Sequence, residues 1–278
     1  MHDETHNSND NGIYCEGCWS DQQEFEEWDQ DTDWKGCAEF EKIGSPRKFG
    51  IELETSSAPD CSEWAKGSGW GCKEDGSTNG PEFVSPILYG NDGYDSVMKF
   101  CNRLVKNDAD IDSDCGYHVH LDLSDTTPAQ RKAIALAYHY TRSVWESFTD
   151  KSRHDHLYAH RSTGSKRSAK PSYWDRKKIV NSPDKPLADT RYVWLNWRAF
   201  NRFQTVEVRS HEPTLDGLAV TNWVKAHATF IDYAKTKTVG QISRVFGSEC
   251  PKTIMRELRF IWNDTELFNY YKCKSKGV

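Results

Sequence analysis

No stretch of this 278-residue sequence comes near the roughly 20 consecutive apolar residues that a membrane-spanning helix needs. The opening MHDETHNSNDNG has neither the basic nor the apolar region of a signal peptide, so a cytoplasmic setting is expected. There is no excess of positive charge. With 36 Lys and Arg against 42 Asp and Glu, the formal net charge is −6, which speaks against a general nucleic-acid binder. No HExxH occurs, because His211-Glu212 is not followed by a histidine at the required spacing, and the commonest zinc-protease signature is thereby excluded. GxxxxGK[ST] is also missing, so a nucleotide would have to be held by something other than a P-loop. The nine cysteines are an odd, scattered set, which fits reduced thiols better than a disulfide framework. There is no internal repeat and no long low-complexity tract.

What is present points to a packed fold. Eleven Trp, twelve Tyr and twelve Phe supply large apolar surfaces, and the length suits one main domain with an appendage. Residues 1–47 are that appendage: thirteen Asp and Glu face only Lys35, Lys42 and Arg47, with no clear helical or strand period. Within it Cys15, Cys18 and Cys37 have partial zinc-knuckle spacing. They are either a structural Zn²⁺ site completed by His2, His6 or Cys61, or free thiols in an acidic arm. The remainder, 48–278, reads as the main domain.

From Lys48 onward short alternating strands appear: KFGIELET, EFVSPIL, GYHVHLDL, YVWLNW and FQTVEVRS. Helical periodicity runs through 92–106, with Tyr94, Val97, Cys101 and Leu104 on one stripe. It returns at about 128–148, where Ile134, Tyr138, Thr141, Trp145 and Phe148 share a face and Ser124, Asp125 or Thr126 would cap. Further helices are predicted at 217–234 and 251–271. The sum is an α+β chain with a mainly antiparallel sheet. Residues 151–178 differ from the rest, with nine Lys and Arg against Asp155 and Asp175. This basic segment is either a solvated loop or a seat for an anion such as a polyphosphate.

Strand periodicity sorts the polar residues. Side chains two apart point the same way, so Glu52 and Glu54 share a face opposite Ile51 and Leu53. By the same rule His118, His120 and Asp122 share a face, and so do Glu207 and Arg209. Three strands with one apolar face and one face of carboxylates and imidazoles predict a common polar floor. Two carboxylates about 5 Å apart repel by roughly 3 kcal/mol at an effective dielectric near 20. Several of them together require a cation or protonation to offset the repulsion. Oxygen-rich ligation with little imidazole suits Mg²⁺ or Mn²⁺ better than zinc.

Four ordered motifs, GIELE, KEDGSTNGPEFVSPIL, CGYHVHLDLS and LNWRAFNRFQTVEVRSHEPTLD, resemble the amidoligase family within the glutamine-synthetase-like carboxylate–amine ligases. The likeness runs from about Lys48 to beyond Asp216. It implies a curved antiparallel sheet with packed helices, two or three divalent ions at its mouth, and ATP as the energy source. Carried onto this sequence, it makes Glu52, Glu54, Glu82, His118 and Glu207 metal ligands. His120 would face the nucleotide phosphates, Arg209 the transferred phosphoryl group, and Asp75 the substrate or amine. Arg153, Arg161 and Lys166 of the basic segment are candidates for ATP contact. The expected partners are a carboxylate, such as an amino acid, peptide or protein-linked acid, and an amine. Nucleic acid and membrane are not expected, although a modified nucleotide remains within the substrate range. The competing reading is a metal-dependent hydrolase or nuclease that activates water on the same carboxylate and histidine cluster. A non-catalytic binding protein with a decayed site is a second alternative.

Overall fold

The computed structural model describes residues 7–9, 12–14, 47–74, 78–154, 179–181 and 193–275. The chain divides into two units, Met1–Lys42 and Ile43–Val278. In the first, β1 (Asn7–Asn9) pairs antiparallel with β2 (Gly12–Tyr14). Cys15, Cys18 and Cys37 lie outside the described residues.

The second unit contains a six-stranded open sheet formed by β3 (Phe49–Glu54), β4 (Gly71–Glu74), β5 (Pro81–Val84), β6 (Tyr117–Asp122), β7 (Leu195–Asn196) and β8 (Thr205–His211). The strand order is β4-β5-β3-β6-β8-β7, and all neighbours are antiparallel. The chain is therefore α+β, as its alternating strand patterns predict. Ile51, Leu53, Val119, Leu121, Val206 and Val208 are buried on one side of the three central strands, against the helices. Those helices are α1 (Cys61–Gly67), α2 (Gly90–Lys106), α3 (Pro128–Ser147), α4 (Ala199–Phe203), α5 (Gly217–Lys235), α6 (Val239–Phe246), α7 (Pro251–Trp262) and α8 (Thr265–Lys274).

Helix α5 anchors the helical layer. Tyr117 of β6 donates its hydroxyl to the carbonyl of Val220 in α5 at 2.9 Å, tying sheet to helix. Trp145 of α3 stacks on His227 of α5 with ring centroids 4.1 Å apart, and Tyr138 meets the same imidazole through its hydroxyl at 2.8 Å. At the start of β3 the buried Arg47 guanidinium pairs with Asp125 before α3 and Asp232 in α5. Among the described residues no helix is long and apolar enough to cross a membrane.

Several boundaries differ from the periodicity. The helix predicted at 251–271 is two helices, because Asn263 adopts a left-handed conformation (φ 47°) and Asp264 then caps α8. Thr127, not Ser124, Asp125 or Thr126, caps α3, in a reciprocal box with Gln130. Asp125 is occupied by Arg47 and Lys235 instead. β4, α1 and α6 carry too few residues for their periods to stand out. Gly80 explains how the loop before β5 closes down on the end of β3, since a Cβ there would lie 2.5 Å from the carbonyl oxygen of Thr55.

Candidate active site

The cross-strand register builds the polar floor. Glu52 lies opposite His118 in the β3–β6 ladder, and His120 lies opposite Glu207 in the β6–β8 ladder. Glu207 faces Asn196 on β7, Glu54 faces Glu82 on β5, and Glu82 faces Lys73 on β4. Each of the six acids and histidines here is less than a tenth exposed. The β6–β8 ladder shifts register between Tyr117 and Val119, so His118 sits at the irregularity. Such shifts re-aim side chains next to sites, and His118 reaches three carboxylates. Its Nδ1 is 3.0 Å from Glu52 and 3.7 Å from Glu207, and its Nε2 is 3.7 Å from Glu54.

His120 presents Nε2 to Glu52 at 3.2 Å and Nδ1 to the hydroxyl of Thr205 at 3.0 Å, and its ring meets the edge of Phe203. One ligand atom from each of Glu52, His120 and Glu207 falls within 4.8 Å of the others, so these three residues can hold a metal ion. Arg209 bonds one oxygen of Glu207 and Asn196 donates to the other at 2.7 Å. Lys73 pairs with Glu82 at 3.2 Å. Arg153, in a short turn at Lys151–Arg153, is buried and donates to the carbonyls of Cys115 and Arg209 at 3.2 and 3.4 Å.

These partners modify the electrostatic expectation. Burial pushes Glu52 up, but hydrogen bonds from His118 and His120 outweigh it and hold its carboxyl well below the usual range. Glu207 is likewise pushed up by burial and brought below its ordinary value by the charge of Arg209. Burial pulls Arg209 down, yet Glu207, Glu52 and Glu54 raise it overall. His120 is disfavoured as a cation by burial and ends up raised through Glu52. The fold thus carries part of its own countercharge, from Arg209 and the two imidazoles.

Not every expected residue joins the floor. Asp122 shares its strand face with the histidines, yet it accepts the N–H of Ser124 at 2.8 Å in the turn that follows. Asp75, Arg161 and Lys166 lie outside the described residues. Asn196, Lys73 and Thr205 were not anticipated. Asn196 had a sequence signal, as a lone amide in the apolar run YVWLNW, whereas Lys73 and Thr205 look like ordinary strand-end residues.

The site is therefore a buried carboxylate and imidazole cluster, flanked by two arginines, on the face of the antiparallel sheet opposite its apolar side. Comparison with known families agrees with that class of site: a family model described as "Putative amidoligase enzyme" matches residues 63–231. That span is well over half of the chain, and the protein belongs to this family, whose name implies an amide-forming enzyme that joins a carboxylate to an amine. The matched segment contains Glu82, His118, His120, Asn196, Glu207 and Arg209, while β3 with Glu52 and Glu54 precedes it. No curated protein matches the sequence.

Proposed function

We propose that this protein is an ATP-dependent carboxylate–amine ligase that forms an amide through an acyl-phosphate intermediate on the floor around Glu52, His120 and Glu207. The observation that carries the reading is the convergence of those three ligand atoms from adjacent strands, in a chain of the amidoligase family. Two carboxylates and an imidazole, with Glu54, Glu82 and His118 beside them, form a mainly oxygen donor set suited to Mg²⁺ or Mn²⁺. When bound, such ions would neutralise phosphate charge and ease phosphoryl transfer. His120, which the family resemblance placed toward the nucleotide phosphates, is assigned instead to the ion with Glu52 and Glu207, and His118 to a neighbouring position among Glu52, Glu54 and Glu207.

The chemistry follows from the weakness of a carboxylate as an electrophile. An oxygen of the substrate acid attacks the γ-phosphorus of ATP and ADP departs. The amine nitrogen then attacks the acyl carbon, the carbon–oxygen bond to phosphate breaks, and a proton leaves the nitrogen for a carboxylate or water. Arg209 is assigned to the charge moving onto the phosphoryl oxygens, since its guanidinium already lies among the acids of the floor. Arg153 supplies a second buried guanidinium beside Glu54. Asp75 is assigned to the amine side, and Arg161 and Lys166 to the nucleotide, by their positions in the sequence alone.

The test is release of ADP from the full chain, with Mg²⁺ or Mn²⁺, across paired libraries of acids and amines. Release should require metal, acid and amine together. Glu52→Gln and Glu207→Gln should each lower it about a hundredfold or more. Arg209→Ala should keep ATP binding and lose phosphoryl transfer. Metal-dependent cleavage of a substrate with no use of ATP would replace the ligase reading with the hydrolase.

A further inference from the structure

Asn196 stands out among the residues that the chemistry above does not use. It is 2 % exposed, and its neighbours Val193, Trp194, Leu195 and Trp197 are all buried apolar groups. Its Oδ1 accepts the main-chain N–H of Arg198 at 2.9 Å, while Nδ2 donates to Oε2 of Glu207 at 2.7 Å. The first bond fixes the second, because a main-chain N–H can only donate and the atom facing it must be the amide oxygen. The NH₂ group is thereby aimed at Glu207. The other carboxylate oxygen, Oε1, faces Arg209 and lies 3.7 Å from Nδ1 of His118.

We propose that Asn196 is the positioning residue for Glu207: it ties Oε2 from the sheet edge and so turns Oε1 toward the imidazoles and acids of the floor. The inference rests on the metal-floor reading for its functional meaning. Partners of this kind, which hold a ligating carboxylate without touching the ion, typically change metal affinity by about 10- to 100-fold when removed. The short β7 strand thereby has a task beyond closing the sheet edge, since its register places Asn196 directly across from Glu207.

Two substitutions separate this role from a merely structural one. Asn196→Asp keeps the oxygen that accepts from Arg198, and so preserves the turn into α4, but it replaces the donor facing Glu207 with an acceptor. Asn196→Ala removes both. Mn²⁺ titration of the full chain, read by the electron paramagnetic resonance of the free ion, should show at least tenfold weaker binding in both variants. Wild-type affinity in Asn196→Asp would overturn the assignment, because only the structural oxygen would then matter. A wild-type chain that binds no Mn²⁺ would refute the metal floor itself. In that event the contact is judged by thermal unfolding. The loss of Tm caused by Asn196→Ala should be clearly larger in the wild type than in a Glu207→Ala background, where only the bond to Arg198 is left to lose, and equal losses in the two backgrounds would overturn the inference.

Discussion

Gly116 shows how tightly single residues define the floor. A Cβ at this position would lie 2.8 Å from Nε2 of His118, 3.0 Å from Oε2 of Glu54 and 3.2 Å from Nη2 of Arg153. These are the ends of side chains, so they can shift without disturbing the backbone, but a shift moves groups assigned to metal and anion binding. At Gly80 the added atom would instead meet the backbone of Thr55–Ser57 at 2.5 to 2.8 Å. The two glycines therefore predict opposite phenotypes. Gly116→Ala should fold with a nearly unchanged Tm and lose at least about tenfold in Mn²⁺ affinity, by analogy with other displaced ligand surroundings. Gly80→Ala should lower Tm instead. Parallel melting curves and Mn²⁺ titrations check the pair, and a Gly116→Ala variant with intact binding would show that His118 and Glu54 are not where the ion sits.

At the scale of elements, the helices support the floor from its apolar side. α3 begins at Thr127 with a reciprocal cap to Gln130, with Pro128 in its first turn where the missing N–H has no helical partner to lose. The helix then packs Ile134, Tyr138, Trp145 and their neighbours into the core. Replacing Thr127 with Ala should remove about 1 kcal/mol of stability, seen as a lower urea midpoint with an unchanged slope. Thr127→Ser should restore it. Neither change should alter Mn²⁺ affinity, because the polar face of the sheet is built from β3, β5, β6 and β8. A cap variant that weakened metal binding would mean that α3 steers the floor as well as supporting it.

Over the whole molecule, the buried titratable groups tie stability to pH. His227 is fully buried against Trp145 and Trp223, and burial, reinforced by His211, holds its imidazole well below the ordinary value of 6.5. Glu212 faces His211, and His211 itself is lowered by burial. A depressed folded-state pKa means that the unfolded chain binds more protons below pH 6.5. The stability linked to His227 is thus fully present above that pH and is lost as pH falls beneath it. Asp125, lowered by Lys235 and Arg47 against the effect of burial, also loses its contribution on acidification, in the carboxylate range. His120 runs the other way, since Glu52 raises it, and its contribution is present below pH 6.5 and fades as pH rises through its folded value. His227→Phe keeps an aromatic ring against Trp145 and removes the titration. It should flatten the fall in Tm below pH 6.5. The same slope as in the wild type would place the acid sensitivity elsewhere.

Local periodicity was enough to show which residues share a face. The alternation in FGIELE, YHVHLDL and TVEVRS separated Ile51, Leu53, Val119, Leu121, Val206 and Val208 from the acids and histidines, because the pleat of a strand has period two whatever its neighbours are. The α+β class and the family likeness could be read from the same motifs. Strand order and register were not legible, because pairing is decided by contacts between residues far apart in the chain. Only the fold brings Glu207 opposite His120, Asn196 opposite Glu207 and Lys73 opposite Glu82. It also engages the Asp122 side chain with Ser124 in the turn that follows β6. Most consequentially, tertiary structure completes the countercharge. The sequence by itself put carboxylates, two imidazoles and Arg209 on the polar faces of three strands, while the packing of β4 and β7 against them decided that Lys73 and an asparagine amide would meet Glu82 and Glu207 there.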